Sequence, residues 1–258
     1  YYNGYYSDRE GNQKAANHVV MLRNTSKGHS LYTTFQLQKN FVDGILKGLY
    51  LNGSYSFGQS RGVTDGTSSV ATSAWKYRAA LDGNAEEVGY TAGSFDGRLL
   101  LSASYTANWS KYAATSFGLI YQRYRPFRYS YCYNGDANGD SQFSNDLMYI
   151  PANFDEVKDH LLPGDFDSQE DAWKAMNAFI EQDPYLSKHR GEYAERNGAV
   201  APFANQLDLS VSHDIKIYQK NGRSHTLRFS FNIANFLNLL NRNWGVVQTT
   251  VLLSLIHI

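Results

Sequence analysis

The sequence predicts an all-β fold, part of an antiparallel transmembrane β-barrel with about seven strands. Three observations support this prediction. Apolar and polar residues alternate in several segments, so each segment has one apolar and one polar face. These segments are about ten residues long, which suffices for a tilted barrel strand to cross a bilayer, whereas most strands in soluble sandwiches have about five or six residues. Short turns alternate with long loops between the segments, as in bacterial outer-membrane barrels.

The clearest strand pair lies in residues 203–235. Alternate positions share one face of each strand, and on one face they are mostly apolar. These positions are Leu207, Leu209, Val211, His213, Ile215 and Ile217 before the turn, and Leu227, Phe229, Phe231 and Ile233 after it. The residues between them are polar or charged. Asn221-Gly222 lies between the two runs and is a strong turn dipeptide. The segment therefore predicts an antiparallel hairpin with one apolar face.

Two further strand pairs precede this hairpin. Residues 31–41 and 48–59 alternate in the same way on either side of Asp43-Gly44. Residues 98–106 and 113–123 follow, with a short connection at 107–112. We expect the short turns to face the periplasm if the strands form a barrel.

The other two connections, residues 60–92 and 125–201, are long, and we expect them to be extracellular loops. The first is rich in Ser, Thr, Gly and Asn, with one helical turn predicted at 69–81. The second predicts a helix at 169–182, because Ser168 and Asp171 resemble a capping box. One face of that helix is apolar and carries Trp173, Met176, Phe179 and Ile180. Such a stripe packs the core of its own loop more often than it contacts a ligand or a lid protein.

Composition excludes several classes of protein. The chain of 258 residues has 24 basic and 24 acidic side chains, so no clustered positive excess indicates nucleic-acid binding. No window of about 18 apolar residues predicts a transmembrane helix. Aromatic residues make up 15%, which suits both the interfacial girdles of a barrel and a carbohydrate-binding β protein. Cys132 is the only cysteine, so neither an intrachain disulfide nor a cysteine-based metal site is expected.

Asp136, Asn138 and Asp140 have the spacing of oxygen ligands in a calcium loop. The EF-hand pattern, however, needs Gly where Ser141 stands and Glu where Leu147 stands. An Asx-rich turn is the favoured interpretation, and the three residues remain weak metal candidates.

Two other patterns resemble catalytic groups. Ser212, His213 and Asp214 are adjacent, but on a strand His213 faces away from its two neighbours. Asp208 and Asp214 share a face at roughly 20 Å, whereas paired glycosidase carboxylates lie about 5 to 9.5 Å apart. We therefore expect no enzymatic activity and no cofactor.

Several sequence blocks resemble the TonB-dependent outer-membrane transporters, in particular the SusC-like or Oar-like branch. The blocks occur in the order of that family and are residues 24–28, 95–98, 131–140, 145–151, 179–186 and 225–245. The most characteristic are Tyr131-Cys132-Tyr133-Asn134-Gly135-Asp136-Ala137-Asn138-Gly139-Asp140 and Asn145-Asp146-Leu147-Met148-Tyr149-Ile150-Pro151. Singly each block is weak, and in combination they are specific.

The resemblance implies a 22-stranded antiparallel barrel with an N-terminal plug in the outer membrane of a Gram-negative bacterium. Residues 1–250 would be the C-terminal part of that barrel, without plug, TonB box or closing strand. A start without Met or signal peptide favours a fragment, and residues 251–258 resemble a non-native tail. The implied partners are outer-membrane lipid, the TonB complex acting through the missing N-terminal region, and a lipoprotein lid in many members. The implied substrates are small-molecule or oligomeric nutrients, mainly oligosaccharides or peptides.

Two other classes of protein remain open on the residues alone. A passive porin or structural outer-membrane barrel would share these strands but lack the plug and TonB box. A secreted carbohydrate-binding β-sandwich would bury its apolar faces inward and be soluble without detergent.

Overall fold

The computed structural model describes residues 5–7, 13–15, 23–66, 68–140, 142–164, 166–218 and 224–249. Three sequence features lie wholly or mostly outside these described residues: the apolar run at 18–24, the turn at 219–223 and the tail at 251–258.

The described chain contains thirteen strands and three α-helices. The strands are β1 (Tyr5–Ser7), β2 (Gln13–Ala15), β3 (Gly28–Asn40), β4 (Leu49–Gly62), β5 (Gly89–Tyr90), β6 (Phe95–Asn108), β7 (Ala113–Tyr124), β8 (Arg128–Tyr129), β9 (Tyr149–Ile150), β10 (Glu192–Tyr193), β11 (Ala199–Val200), β12 (Ala204–Tyr218) and β13 (Ser224–Ile233). The helices are α1 (Ala71–Lys76), α2 (Gln169–Gln182) and α3 (Phe236–Leu240), with 3-10 turns at Phe154–Glu156 and Leu186–Lys188.

The main element is a seven-stranded antiparallel sheet in the order β13-β12-β7-β6-β4-β3, with β5 paired beside the end of β4. Each long strand therefore pairs with its neighbours in sequence, as the alternating segments predict, and the all-β fold with few helices is confirmed. Three small sheets, β1-β2, β8-β11 and β9-β10, lie outside it.

Several strands extend beyond their predicted bounds: β3 begins at Gly28 rather than at residue 31, and β4 ends at Gly62 rather than at residue 59. Strand β6 begins at Phe95 rather than at residue 98, because a register shift between Ser56 and Gly58 of β4 lets Phe95 pair with Gly58. Such irregularities re-aim a strand without ending its pairing. The connection to β7 is correspondingly short, at residues 109–112.

The register of the sheet separates an apolar face from a polar face. Leu209 lies opposite Leu119 and Ile233, whereas Ser210 lies opposite Gly118 and Asn232. On the apolar face the large side chains stay exposed, among them Phe35 at 65%, Leu37 at 80%, Phe117 at 45%, Phe229 at 58% and Phe231 at 65%. The sheet is a single layer, since nothing in the described chain buries this face.

Because neighbouring strands are antiparallel, the connections leave the sheet alternately at its two ends. The short connections 41–48 and 109–112 lie at one end, and the long connections 63–94 and 125–203 lie at the other. We call residues 125–203 the folded insertion.

The hydrophobic core lies in the folded insertion rather than on the sheet. Its buried members are Met148, Ile150, Leu161, Ala172, Met176, Ile180, Leu186 and Ala194. Helix α2 supplies Ala172, Met176 and Ile180 and has the predicted bounds. Ser168 is its N-cap and accepts a hydrogen bond from Asp171 N–H at 3.1 Å.

The apolar stripe of α2 packs this core. Met176 and Ile180 are buried, and Trp173 and Phe179 pack against the core while partly buried. This confirms that the stripe stabilises its own insertion. Within the described chain no helix is both long and apolar enough to span a membrane.

Candidate functional site

Two arginines hold the first long connection, Arg196, which is buried, and Arg78, which is partly buried. Arg196, 5% exposed, donates hydrogen bonds to the carbonyl oxygens of Gly62 and Val63 and, at 3.5 Å, of Gly89. Arg78 donates to the carbonyl oxygens of Val63, Gly83 and Ala85 at 3.0, 2.6 and 3.1 Å. Burial lowers the pKa of both guanidinium groups, and the carbonyl oxygens replace the water that they lose.

Ion pairs fix the folded insertion to the ends of the long strands. Arg61 of β4 pairs with Glu195, and Arg128 of β8 pairs with Asp96 of β6. The ring of Tyr90 lies against both guanidinium groups, with centroid distances of 4.4 Å to Arg61 and 4.1 Å to Arg128. These contacts fix the folded insertion to one end of the sheet.

The folded insertion contains a pocket of about 520 Å³, which we call the insertion pocket. This volume lies within the range of small-molecule sites, about 300 to 1,000 Å³. Its apolar floor includes Leu147, Leu161 and Met176, two of which, Leu161 and Met176, are core residues of the insertion.

Three tyrosines form the aromatic wall of the insertion pocket. They are Tyr133, Tyr149 and Tyr193. Pairing of β9 with β10 sets Tyr149 opposite Tyr193, and their rings meet edge to face at 5.1 Å. The Tyr133 hydroxyl accepts a hydrogen bond from Tyr149 N–H at 3.1 Å. Burial raises the pKa of Tyr133, so its phenol is a neutral donor at neutral pH.

Asp146 is the buried carboxylate of the insertion pocket and is 3% exposed. Its Oδ2 accepts hydrogen bonds from the backbone N–H groups of Ala137 at 2.7 Å and Asn138 at 3.3 Å. Its Oδ1 has no hydrogen-bond partner within the described chain. Burial raises the pKa of Asp146 above its ordinary value, although the two N–H groups oppose this. Its charge adds to burial in raising the pKa of Cys132 to about 12.

The charge of the insertion pocket is negative. Glu156 also lines it, and its Oε2 accepts hydrogen bonds from Tyr149 Oη at 3.1 Å and from Ala152 N–H at 2.9 Å. His160 is another lining residue, and no lysine or arginine lies among the described lining residues. The pocket thus offers carboxylates and aromatic rings without an internal cation to balance the carboxylates.

The weak metal candidates Asp136, Asn138 and Asp140 lie in a turn beside this pocket. Asp136 Oδ1 accepts hydrogen bonds from the backbone N–H groups of Gly139 at 2.7 Å and Asp140 at 3.0 Å. Asp140 Oδ1 accepts from Gln142 N–H at 2.8 Å. Side-chain oxygens that bond nearby backbone N–H groups are the mark of Asx turns. Within the described chain no group of three or more His, Cys, Asp or Glu residues is arranged to hold a metal ion.

The residues of the Ser-His-Asp sequence lie on opposite faces of β12. His213 Nδ1 lies 2.9 Å from Thr115 Oγ1 on the apolar face. On the polar face Asp214 binds Arg228 through two hydrogen bonds of 2.6 and 2.7 Å. Ser212 lies opposite a serine on each neighbouring strand. Asp208 accepts a hydrogen bond from Asn235 N–H at 2.7 Å, so each acid on this strand has its own local partner.

Hydrogen bonds between side chains on adjacent strands line the polar face of the sheet. The pairs include Ser30 with Ser60 at 2.7 Å, Gln36 with Asn52 at 2.8 Å, Thr106 with Ser116 at 3.0 Å, and Gln122 with Gln206 at 2.8 Å. This face is mainly hydrophilic, with Leu100 and Ile120 as apolar exceptions.

Sequence reasoning missed the insertion pocket. Asp146 and Tyr149 lie in a block that the resemblance singled out, but no short motif links them to Tyr193. The available signal was the density of tyrosines and acids in one long connection.

No family model, no curated protein and no solved structure matches the chain.

Proposed function

We propose that the chain is part of a β-barrel transporter in the outer membrane of a Gram-negative bacterium. The observation that carries this proposal is the uncovered apolar face of the sheet. Strands of 10 to 15 residues expose large aliphatic and aromatic side chains, while the hydrophobic core lies elsewhere, in the folded insertion. Exposing such a face to water costs free energy, whereas contact with the acyl chains of a lipid bilayer does not.

The polar face and the connections support the same proposal. Outer-membrane barrels have lipid-facing apolar residues, a polar interior, short periplasmic turns and long extracellular loops. Here the hydrogen-bonded polar face would line the lumen, and the connections 63–94 and 125–203 would lie outside the cell. Both edge strands, β3 and β13, have an edge that is unpaired within the described chain, so further strands of the barrel can continue the sheet there.

The sequence blocks narrow the proposal to TonB-dependent transport of oligosaccharides or peptides. In such a transporter the plug and the TonB complex supply the energy coupling, and a lipoprotein lid covers the barrel in many members. A passive porin would use the same sheet without a plug, so the gene upstream of Tyr1 distinguishes the two.

A secreted carbohydrate-binding sandwich is the other alternative. It needs a second layer over the apolar face, and the described chain provides none. This observation favours the membrane proposal over the sandwich.

Spin labels at positions 209 and 210 test the membrane proposal. The two residues occupy opposite faces of β12, so each is the matched control of the other. With the chain in lipid vesicles, we expect the label at 209 to be accessible to oxygen and shielded from a polar relaxant. The label at 210 should show the opposite preference. A label at 209 that is shielded from both reagents would indicate a packed core and overturn the proposal.

A further inference from the structure

We infer that the insertion pocket binds a cationic group of a peptide substrate, such as a lysine or arginine side chain or an amino terminus. This inference rests on the proposed transport function and narrows its substrate class from nutrients in general to basic peptides. It depends on four properties of the pocket: its volume, its apolar floor, its tyrosine wall and its carboxylates.

The carboxylates determine the sign of the charge that the ligand carries. Asp146 is almost fully buried, and its Oδ1 has no hydrogen-bond partner within the described chain. A buried carboxylate with one unpartnered oxygen and no opposite charge costs free energy that an entering cation offsets. Glu156 adds a second acid, and no described lysine or arginine in the lining competes for either group. The two carboxylates would repel an anionic ligand.

The floor and the wall determine the shape of the ligand. Leu147, Leu161 and Met176 offer apolar contact to the methylene stem of a long basic side chain. Tyr149 and Tyr193 offer aromatic rings in the lining, and a guanidinium or ammonium group over a ring face gains cation–π attraction. The volume of about 520 Å³ accommodates one such side chain together with part of its peptide backbone.

A neutral sugar is the main competing ligand, because tyrosines also stack against sugar rings. A sugar hydroxyl, however, gives Asp146 only a neutral donor. A guanidinium or ammonium group gives a hydrogen bond together with an opposite charge, so it also offsets the buried charge of the carboxylate. The unpartnered buried carboxylate oxygen therefore favours the cation.

The test compares arginine with its neutral isostere. The whole chain in detergent micelles is titrated by calorimetry with Nα-acetyl-arginine amide, with Nα-acetyl-citrulline amide and with maltohexaose. We expect the arginine derivative to bind at least about tenfold more tightly than the other two compounds. Equal affinity for citrulline, or tighter binding of maltohexaose, would overturn the inference.

Variants locate the binding. Asp146→Asn and Glu156→Gln should each weaken binding of the arginine derivative by about tenfold. Tyr193→Ala, at a side chain that is 54% exposed, should weaken binding without disturbing the core. Glu181→Gln is the matched control, because this acid lies on α2 outside the pocket lining and should leave the affinity unchanged.

Far-UV circular dichroism of each variant shows whether it folds. If Asp146→Asn does not fold, Glu156→Gln and Tyr193→Ala still decide the outcome, and unchanged binding in both would refute the inference. The spin labels at 209 and 210 report on the membrane proposal independently. A lipid-facing label combined with no arginine binding would reject the inference and leave the transport proposal intact.

Discussion

The thiol of Cys132 should have low reactivity in the folded protein. Burial, with a smaller contribution from the charge of Asp146, raises its pKa to about 12. Since only the thiolate reacts with alkylating reagents, we expect slow labelling by iodoacetamide at pH 8 and fast labelling after unfolding. Because the folded-state pKa is the higher one, this thiol should also make the fold less stable as pH rises from about 9 towards 12.

The control for this prediction moves the only cysteine to an exposed position. A Cys132→Ser/Gln182→Cys variant should react quickly without denaturant, because position 182 is exposed at the end of α2. Equal labelling rates for the two proteins in their folded states would contradict the prediction.

At the scale of single residues, the sequence predicted local chemistry better than distant contacts. Spacing alone predicts the Asx turn around Asp136, because its partners lie within a few residues. Spacing also predicts that Ser212 and His213 lie on opposite faces of their strand. The meeting of Asp146 with Tyr193 does not follow, since it depends on how β9 and β10 pair within a long connection.

Among the elements, α2 shows how one side chain sets a helix boundary. The Ser168 hydroxyl accepts from Asp171 N–H at 3.1 Å, which satisfies one donor of the first turn. Replacing Ser168 by Ala should lower the free energy of unfolding by about 1 kcal/mol, and Ser168→Thr should retain most of it. Urea unfolding of the chain in micelles, followed by tryptophan fluorescence, measures the difference.

Gln182→Ala serves as the matched change at the other end of the same helix. This exposed residue provides no cap, so its loss should cost less than about 0.5 kcal/mol. If Ser168→Ala were no more costly than Gln182→Ala, the capping argument would be wrong.

Long elements were predictable and short ones were not. Strands β12 and β13 and helix α2 span enough residues for a period of 2.0 or 3.6 to be recognised. Strands β5, β8, β9, β10 and β11 have two residues each and therefore no period. Their pairing depends on the packing of the insertion core and on the contacts of Arg78 and Arg196. These are long-range contacts and produce no local sequence pattern.

For the whole molecule, Arg196 joins the folded insertion to the first long connection. Its removal would leave the carbonyl oxygens of Gly62, Val63 and Gly89 without this donor. Val63 keeps the hydrogen bond from Arg78, so two carbonyl oxygens lose their donor at about 1 to 3 kcal/mol each, and Arg196→Ala should destabilise the end of the sheet by roughly 2 to 6 kcal/mol. Limited trypsin digestion in micelles should then cut within residues 63–94 much faster than in the parent chain.

Arg23→Ala is the control for this substitution. Arg23 is 65% exposed and pairs with Glu86 at 3.4 Å, and a surface pair of this kind contributes about 1 kcal/mol or less. Equal digestion of the two variants would show that Arg196 does not hold the connection. The sheet order itself was predictable from the chain order of the hairpins, whereas this long-range docking was not.

The folded insertion has a further consequence for the rate at which the sheet assembles. Tyr121 and Asn205 bond across β7 and β12 yet are 84 residues apart in the chain. Closing so long a segment as an unstructured coil costs about 2 kcal/mol more than closing a tight hairpin. The insertion core, by contrast, draws its buried residues from within the insertion itself and can form without the sheet. If it forms first, β7 and β12 start close together, and the slowest pairing of the sheet becomes nearly local.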